Sequence, residues 1–128
     1  MFCILNPLRE LSLISIFFRF FLATGCGAII GYERSKTRHS AGLRTHIIVC
    51  IGAASVMILN QYLSVFYHSN ADPARLGAQV ISGIGFLGAG TIVITGHQRG
   101  QQVRGLTTAA GLWASACMGL VIGSGFYE

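Results

Sequence analysis

The sequence Gln79-Val-Ile-Ser-Gly-Ile-Gly-Phe-Leu-Gly-Ala-Gly-Thr-Ile-Val-Ile-Thr-Gly96 decides the fold class. It contains no charged residue, and its length is about what a helix needs to cross a bilayer. It also contains Gly83-x-Gly85-x-x-Gly88, the spacing of a dinucleotide-binding loop. Such a loop is accompanied by an acidic residue about 20 positions further on, but no acidic residue lies between Asp72 and Glu128. We therefore interpret the segment as a transmembrane helix.

The composition of the whole chain supports this interpretation. The 128 residues are 52% hydrophobic and only 10% charged, which is too few charges for the surface of a soluble domain. Four apolar segments recur, each about the length of a membrane-spanning helix, and none shows barrel-type alternation. They cover residues 11–32, 46–67, 76–96 and 106–126. We predict an all-α membrane protein in which residues 1–128 form a single four-helix transmembrane bundle.

Two short motifs indicate an internal repeat. Ala41-Gly-Leu-Arg-Thr-His46 opens the second predicted helix and Arg104-Gly-Leu-Thr-Thr-Ala109 opens the fourth. The pattern is typical of two tandem helical hairpins with the same orientation. The first segment has a signal peptide as its alternative interpretation, but its apolar run continues through Ile30, which favours a retained helix.

The positive charges indicate the orientation in the membrane. The net charge is +5, and the predicted loops 33–45 and 97–105 contain six basic residues, against two on the opposite side. The six are Arg34, Lys36, Arg38, Arg44, Arg99 and Arg104, and the two are Arg9 and Arg75. By the positive-inside rule both loops are cytoplasmic, whereas the N-terminus and the loop near Asp72 face outward. We interpret these charges as orientation determinants next to the lipid bilayer and expect no nucleic-acid partner.

The glycines of the third predicted helix form two faces. At roughly 100° per residue, Gly83 and Gly90 share one face, while Gly77, Gly85, Gly88 and Gly96 lie on the opposite one. Small residues allow membrane helices to approach closely. We therefore predict that Gly77, Gly83, Gly85, Gly88 and Gly90 are helix-packing residues and that this helix is the centre of the bundle.

Few side chains are candidates for chemistry. Arg19 lies inside the first helix, where a charge costs at least ~2.5 kcal/mol, so it either faces the bundle or extends toward the interface. Asp72 is expected to cap the third helix, and it is a weak candidate as a cation ligand because a single carboxylate is a poor Mg²⁺ site. Trp113 is expected to pack into the bundle. No nucleophile–base pair can be assembled and the histidines do not cluster, so we predict no catalytic residue, no enzyme activity and no bound cofactor.

Together, the motifs Gly27-Ala-Ile-Ile-Gly-Tyr-Glu-Arg34, Ala41–His46, Gly83-Ile-Gly-Phe-Leu-Gly-Ala-Gly90 and Val103-Arg-Gly-Leu-Thr-Thr-Ala-Ala110, the last followed by Leu112-Trp113, resemble the MgtC/SapB family. The resemblance implies a multi-pass protein of the bacterial inner (plasma) membrane, linked to Mg²⁺ homeostasis, to adaptation to low Mg²⁺ and, in pathogens, to virulence. It implies ATP synthase or a transporter as partners. Polar residues of these motifs or near them are Glu33, Arg34, Arg44, Thr45, Asp72, Gln79, Arg104, Thr107, Thr108 and Trp113.

Three hypotheses of function follow. The first is regulation by helix–helix contact with other membrane proteins or with further copies of the chain as a homo-oligomer. The alternative is a Mg²⁺ transporter or transporter subunit, with Mg²⁺ as the transported or sensed ion. The resemblance also implies a fifth helix and a C-terminal domain, which we expect this chain to lack, so a truncated, non-functional fragment is the second alternative.

Overall fold

In the part of the chain that the structure describes, the fold consists of four helices and one short pair of strands. A computed structural model describes residues 10–36, 41–66, 72–95 and 102–127. The elements in chain order are α1 (Leu13–Lys36), α2 (Leu43–Phe66), α3 (Arg75–Thr91), β1 (Val93–Thr95), β2 (Gln102–Arg104) and α4 (Leu106–Gly123). The prediction of an all-α four-helix membrane protein is confirmed.

The first hairpin is held together by glycines of α1. A Cβ atom placed on Gly27 would lie 2.7 Å from the Cα atom of Ile47, and one on Gly31 would lie 2.7 Å from the Cα atom of Leu43. Only glycine permits this backbone approach, so α1 and α2 pack antiparallel at close range. Ser35 connects the two helices because its hydroxyl accepts the N–H of Leu43 at 2.9 Å, which satisfies one of the free donors where α2 begins.

The second hairpin consists of α3 and α4. Gly88 of α3 lies beside Ala109, near the start of α4, and Gly77 lies beside Leu120, near its end. The two helices are therefore antiparallel. The glycines of α4 contact residues of α2 in the same chain order, so these two helices run parallel. The two hairpins therefore share one orientation, as predicted.

The third helix is shorter than predicted. It ends at Thr91 instead of Gly96, and Val93–Thr95 pairs antiparallel with Gln102–Arg104. All five residues of the run Thr91-Ile-Val-Ile-Thr95 are β-branched and favour strands, so the helix stops where the run begins. Gly96 lies outside the described residues. Gly105 then starts α4 at a φ of 94°, a conformation that favours glycine.

Three of the described helices, α1, α2 and α4, are long and apolar enough to cross a membrane. With 17 residues, α3 is about 25 Å long. Its depth follows from its packing, because its contacts run along α4 from Leu120 to Ala109. The basic residues Lys36, Arg44 and Arg104 mark one end of the bundle, which we call the basic end. Asp72 marks the opposite end, the Asp72 end.

Candidate functional site

The tightest packing in the bundle is between α2 and α4. A Cβ atom on Gly119 would overlap the carbonyl oxygen of Cys50, and one on Gly123 would lie 2.7 Å from the Cα atom of Ala54. The small buried residues Ala53, Ala54 and Ala116 complete this contact. The centre of the bundle is therefore the α2–α4 contact, and the expectation that the third helix forms it is wrong.

The structure separates the glycines predicted on the third helix into two groups. Gly77 and Gly88 are buried, since a Cβ on Gly77 would lie 3.3 Å from the Met57 sulfur and one on Gly88 3.5 Å from the Ala109 Cβ. Gly83, Gly85 and Gly90 are exposed and have open space where a Cβ would stand. The last three have no packing role within the described part of this chain.

A buried arginine occupies the interior near the Asp72 end. Arg19 is 0% exposed, and its Nη1 donates to Gln61 Oε1 at 2.6 Å and to the Gly123 carbonyl oxygen at 2.8 Å. Its Nε donates to the Tyr127 hydroxyl at 3.2 Å. Of the two expected placements, Arg19 adopts the one facing the bundle. A charge at this depth requires hydrogen-bonding partners. Through them the arginine joins α1 to α2, to the end of α4 and to the segment that follows it.

Sequence reasoning missed a second buried polar group, His46. Its ring is 0% exposed, Nδ1 donates to the Gly42 carbonyl oxygen at 2.8 Å, and Nε2 has no hydrogen-bond partner in the part of the chain that the structure describes. A Cβ on Gly111 would lie only 3.1 Å from this nitrogen. A signal in the sequence was the glycines that meet this residue. Gly27 and Gly31 of α1 lie against its backbone and its Cβ, and the missing side chain of Gly111 on α4 leaves room for the ring.

Two polar side chains of α3 face away from the bundle. Gln79 and Ser82 are exposed, and neither has a hydrogen-bond partner among the described residues. Several other polar side chains along the helices bond to a carbonyl oxygen of their own helix. For example, the Thr24 hydroxyl donates to the Phe20 carbonyl at 2.7 Å.

The remaining polar residues of the predicted motifs lie toward the basic end or on lateral surfaces. Thr108 is buried and Arg34 is half-buried, whereas the others are exposed: Glu33, Arg44, Thr45, Arg104 and Thr107. Trp113 is 51% exposed. The expectation that it packs into the bundle is wrong, because Leu112 and Ala116 fill the inward face of α4 instead.

Asp72 lies at the entrance to α3. Its side chain is exposed and accepts the N–H of Ala74 at 2.9 Å, and its own carbonyl oxygen accepts the N–H of Arg75 at 3.1 Å. The position that caps the helix is Ala74, two residues later than expected. No group of three or more potential metal ligands converges within residues 10–36, 41–66, 72–95 and 102–127.

Comparison with known proteins places this bundle in a family. Residues 20–128 match the MgtC family. The chain belongs to the MgtC family. Among other members, it is 46% identical over 110 residues to the putative magnesium transporter YhiD of Escherichia coli K12, covering 83% of this chain and 49% of that protein.

Two further relatives carry the name Protein MgtC. The protein of Salmonella typhimurium is 47% identical over 102 residues, covering 80% of this chain and 40% of its own length. That of Brucella abortus is 44% identical over 99 residues, covering 77% and 38% respectively. The chain thus spans about half the length of these MgtC-family relatives or less. No solved structure matches it.

Proposed function

We propose that this chain is a bacterial plasma-membrane protein of Mg²⁺ homeostasis that acts by helix contact with other membrane proteins. The observation that carries the proposal is the open small-residue side of α3. Gly85 has no atom within 4 Å of the position a Cβ would occupy, and Ala78 and Ala89 on the same side are exposed as well. In a membrane, small residues are placed where another helix approaches closely.

The link to Mg²⁺ rests on membership of the MgtC family and on the name of the E. coli relative. The basic end of the bundle is the cytoplasmic end in this proposal, because basic residues collect on that side of a membrane protein. Asp72 and the loop around it then face outward.

The test is growth at limiting Mg²⁺ in a strain that lacks the gene and is complemented with variants. Gly85→Leu is expected to reduce growth toward that of the deletion strain while the amount of protein in the membrane stays the same. Gly25→Leu is the matched control, since Gly25 on α1 is equally exposed and has equally open surroundings. Normal growth with Gly85→Leu at normal protein level would exclude this side of α3 as the contact.

The rival function is Mg²⁺ transport, which the name of the E. coli relative favours. A route for Mg²⁺ requires several oxygen ligands, and Asp72 with Gln79 on the outer half of α3 are the residues near it. Only several copies together would supply more than one Asp72 carboxylate. Flux of Mg²⁺ into vesicles that contain the purified protein decides the matter: transport that is lost in Asp72→Ala supports this function, and absence of flux excludes it.

A further inference from the structure

The outward face of α3 combines polar and small residues in an unusual way for a surface in contact with lipid. At roughly 100° per residue, this face is opposite the buried Gly77, Ile84 and Gly88. It consists of Gln79, Ser82, Gly83, Phe86 and Gly90, all exposed. Phe86 is 82% exposed, the largest value among the exposed large hydrophobic residues of the described chain.

The depth of this face follows from the contacts of α3 with α4. Gly77 lies 3.9 Å from a methyl group of Leu120 and Gly88 lies 3.5 Å from the Cβ of Ala109, measured from a Cβ placed on each glycine. Gln79 and Ser82 lie between these two levels, beside the middle of a helix that is long and apolar enough to cross the membrane. At this depth no water is present to bond their polar atoms.

The exposed Thr24 and the half-buried Ser64 satisfy their hydroxyls within their own helices. The hydroxyls of Thr24 and Ser64 each donate to the carbonyl oxygen four residues earlier, at 2.7 and 2.9 Å. Ser82 can rotate to bond the Ala78 carbonyl in the same way. The Gln79 amide has two donors and an acceptor at the end of a longer side chain, and one carbonyl cannot satisfy it. Its partner has to come from outside the chain.

We propose that the outward face of α3 binds the same face of a second copy, with Gln79 paired to Gln79 of the partner subunit. Two copies inserted in one orientation are related by a two-fold axis along the membrane normal, so each residue meets its own counterpart at the same depth. An amide suits such a pair because it donates to its counterpart and accepts from it at once. Like charges could not pair in this way.

The residues around Gln79 fit the same arrangement. Gly83 and Gly90 have open space where a Cβ would stand, and Phe86 lies between them in the sequence. In a symmetric pair, the aromatic ring of one copy would fill the gap that the glycines leave in the other. The contact thus combines close packing with an interhelical hydrogen bond, the two sources of helix association in membranes.

This inference rests on the proposed function only in that both place protein contacts on α3. The two surfaces differ, because Gly85 lies about 100° around the helix from Phe86. A second copy on the outward face therefore leaves the side with Gly85 available for another protein.

The first experiment counts subunits. The full-length chain, labelled with one fluorophore, is reconstituted in vesicles over a dilution series of protein in lipid, and dimers are scored by single-molecule bleaching steps. Gln79→Leu is expected to weaken dimerisation roughly 3- to 30-fold, and Gln79→Asn, which keeps the amide, is expected to retain part of it. Thr24→Val is the matched control and should dimerise as the wild type does, because Thr24 is exposed but bonded within α1.

The second experiment locates the contact. Ser82→Cys, a change of one atom, should give a disulfide-linked dimer under mild oxidation in membranes, beyond the background of the native cysteines. Thr24→Cys should add nothing to that background.

Any one of three results would contradict the inference. It is wrong if the wild type is monomeric at every dilution, if Gln79→Leu dimerises normally, or if Thr24→Cys crosslinks as well as Ser82→Cys. Failure here is distinguishable from failure of the proposed function. A normal dimer in Gln79→Leu with impaired growth in Gly85→Leu removes only the self-association, whereas a monomeric Gln79→Leu with normal growth in Gly85→Leu removes only the partner contact.

Discussion

Two sets of glycines in this protein differ in what surrounds them, one on the inward faces of α1 and α4 and one on the exposed side of α3. Gly27, Gly119 and Gly123 meet the backbone of α2 so closely that a methyl group has no room. Gly83, Gly85 and Gly90 have only open space. Glycines in the same kind of apolar sequence therefore serve two purposes: some hold the bundle together, and others leave a lateral surface of the bundle accessible.

The contrast between packed and open glycines is tested by the same substitution, glycine to alanine, at one position of each kind. Gly119→Ala is expected to destabilise the fold by about 3 kcal/mol, because the added methyl overlaps the Cys50 carbonyl oxygen and the Ala53 side chain. Gly52→Ala on α2, which has no atom within 4 Å of the added group, should instead stabilise the helix by about 0.5 kcal/mol. Unfolding in mixed detergent micelles, followed by circular dichroism, measures both. Equal effects would show that the close approach of α4 to α2 is not what holds the bundle.

A substitution of the buried Arg19 tests the same region by removing hydrogen bonds instead of changing the packing. Arg19→Met should cost about 2 kcal/mol, because the Gln61 amide and the Gly123 carbonyl lose their donor inside the bundle. Tyr127→Phe removes the longer bond to Arg19 Nε and should cost about 1 kcal/mol. The same unfolding assay applies. If Arg19→Met is as stable as the wild type, the arginine does not join the helices in the way described.

The smallest effect on fold stability is expected for α3, a single helix that carries both packed and open glycines. Gly88→Leu should destabilise the fold by about 1 kcal/mol, since the new side chain has to displace Ala109 of α4. Gly85→Leu should leave stability within about 0.5 kcal/mol, as is usual for a surface position. Thermal unfolding of the purified protein in detergent compares the pair. A larger loss for Gly85→Leu than for Gly88→Leu would contradict the assignment of inward and outward faces.

Most of the fold was predictable because its signals are local. Apolar segments of membrane-spanning length predicted the helices, and the shared motif at Ala41 and Arg104 predicted two hairpins of one orientation. The end of α3 was predicted wrongly, since apolar character continues through Val93–Thr95 while the β-branched side chains there favour a strand. The apolar character of a segment alone does not show where a helix changes to a strand.

The polar groups of the interior were much harder to predict. Arg19 was recognised as costly at its depth, but its partners lie 42, 104 and 108 positions away in the sequence. Nothing local identifies Tyr127 as one of them. His46 was set aside because the histidines lie in loops or at helix ends without clustered partners, whereas the structure buries its ring, with Gly111 of α4 beside Nε2.

By itself, the sequence determined that this protein is a helical membrane protein, because hydrophobic length and charge placement depend on the residues of each segment alone. The chain order of the two hairpins and their shared direction relative to each other followed from the same information. Only the tertiary structure decided which glycines are contact points and which polar side chains are enclosed. These properties depend on the distance between backbones of different helices, which is set when α4 packs against α2 and leaves Gln79 of α3 facing outward.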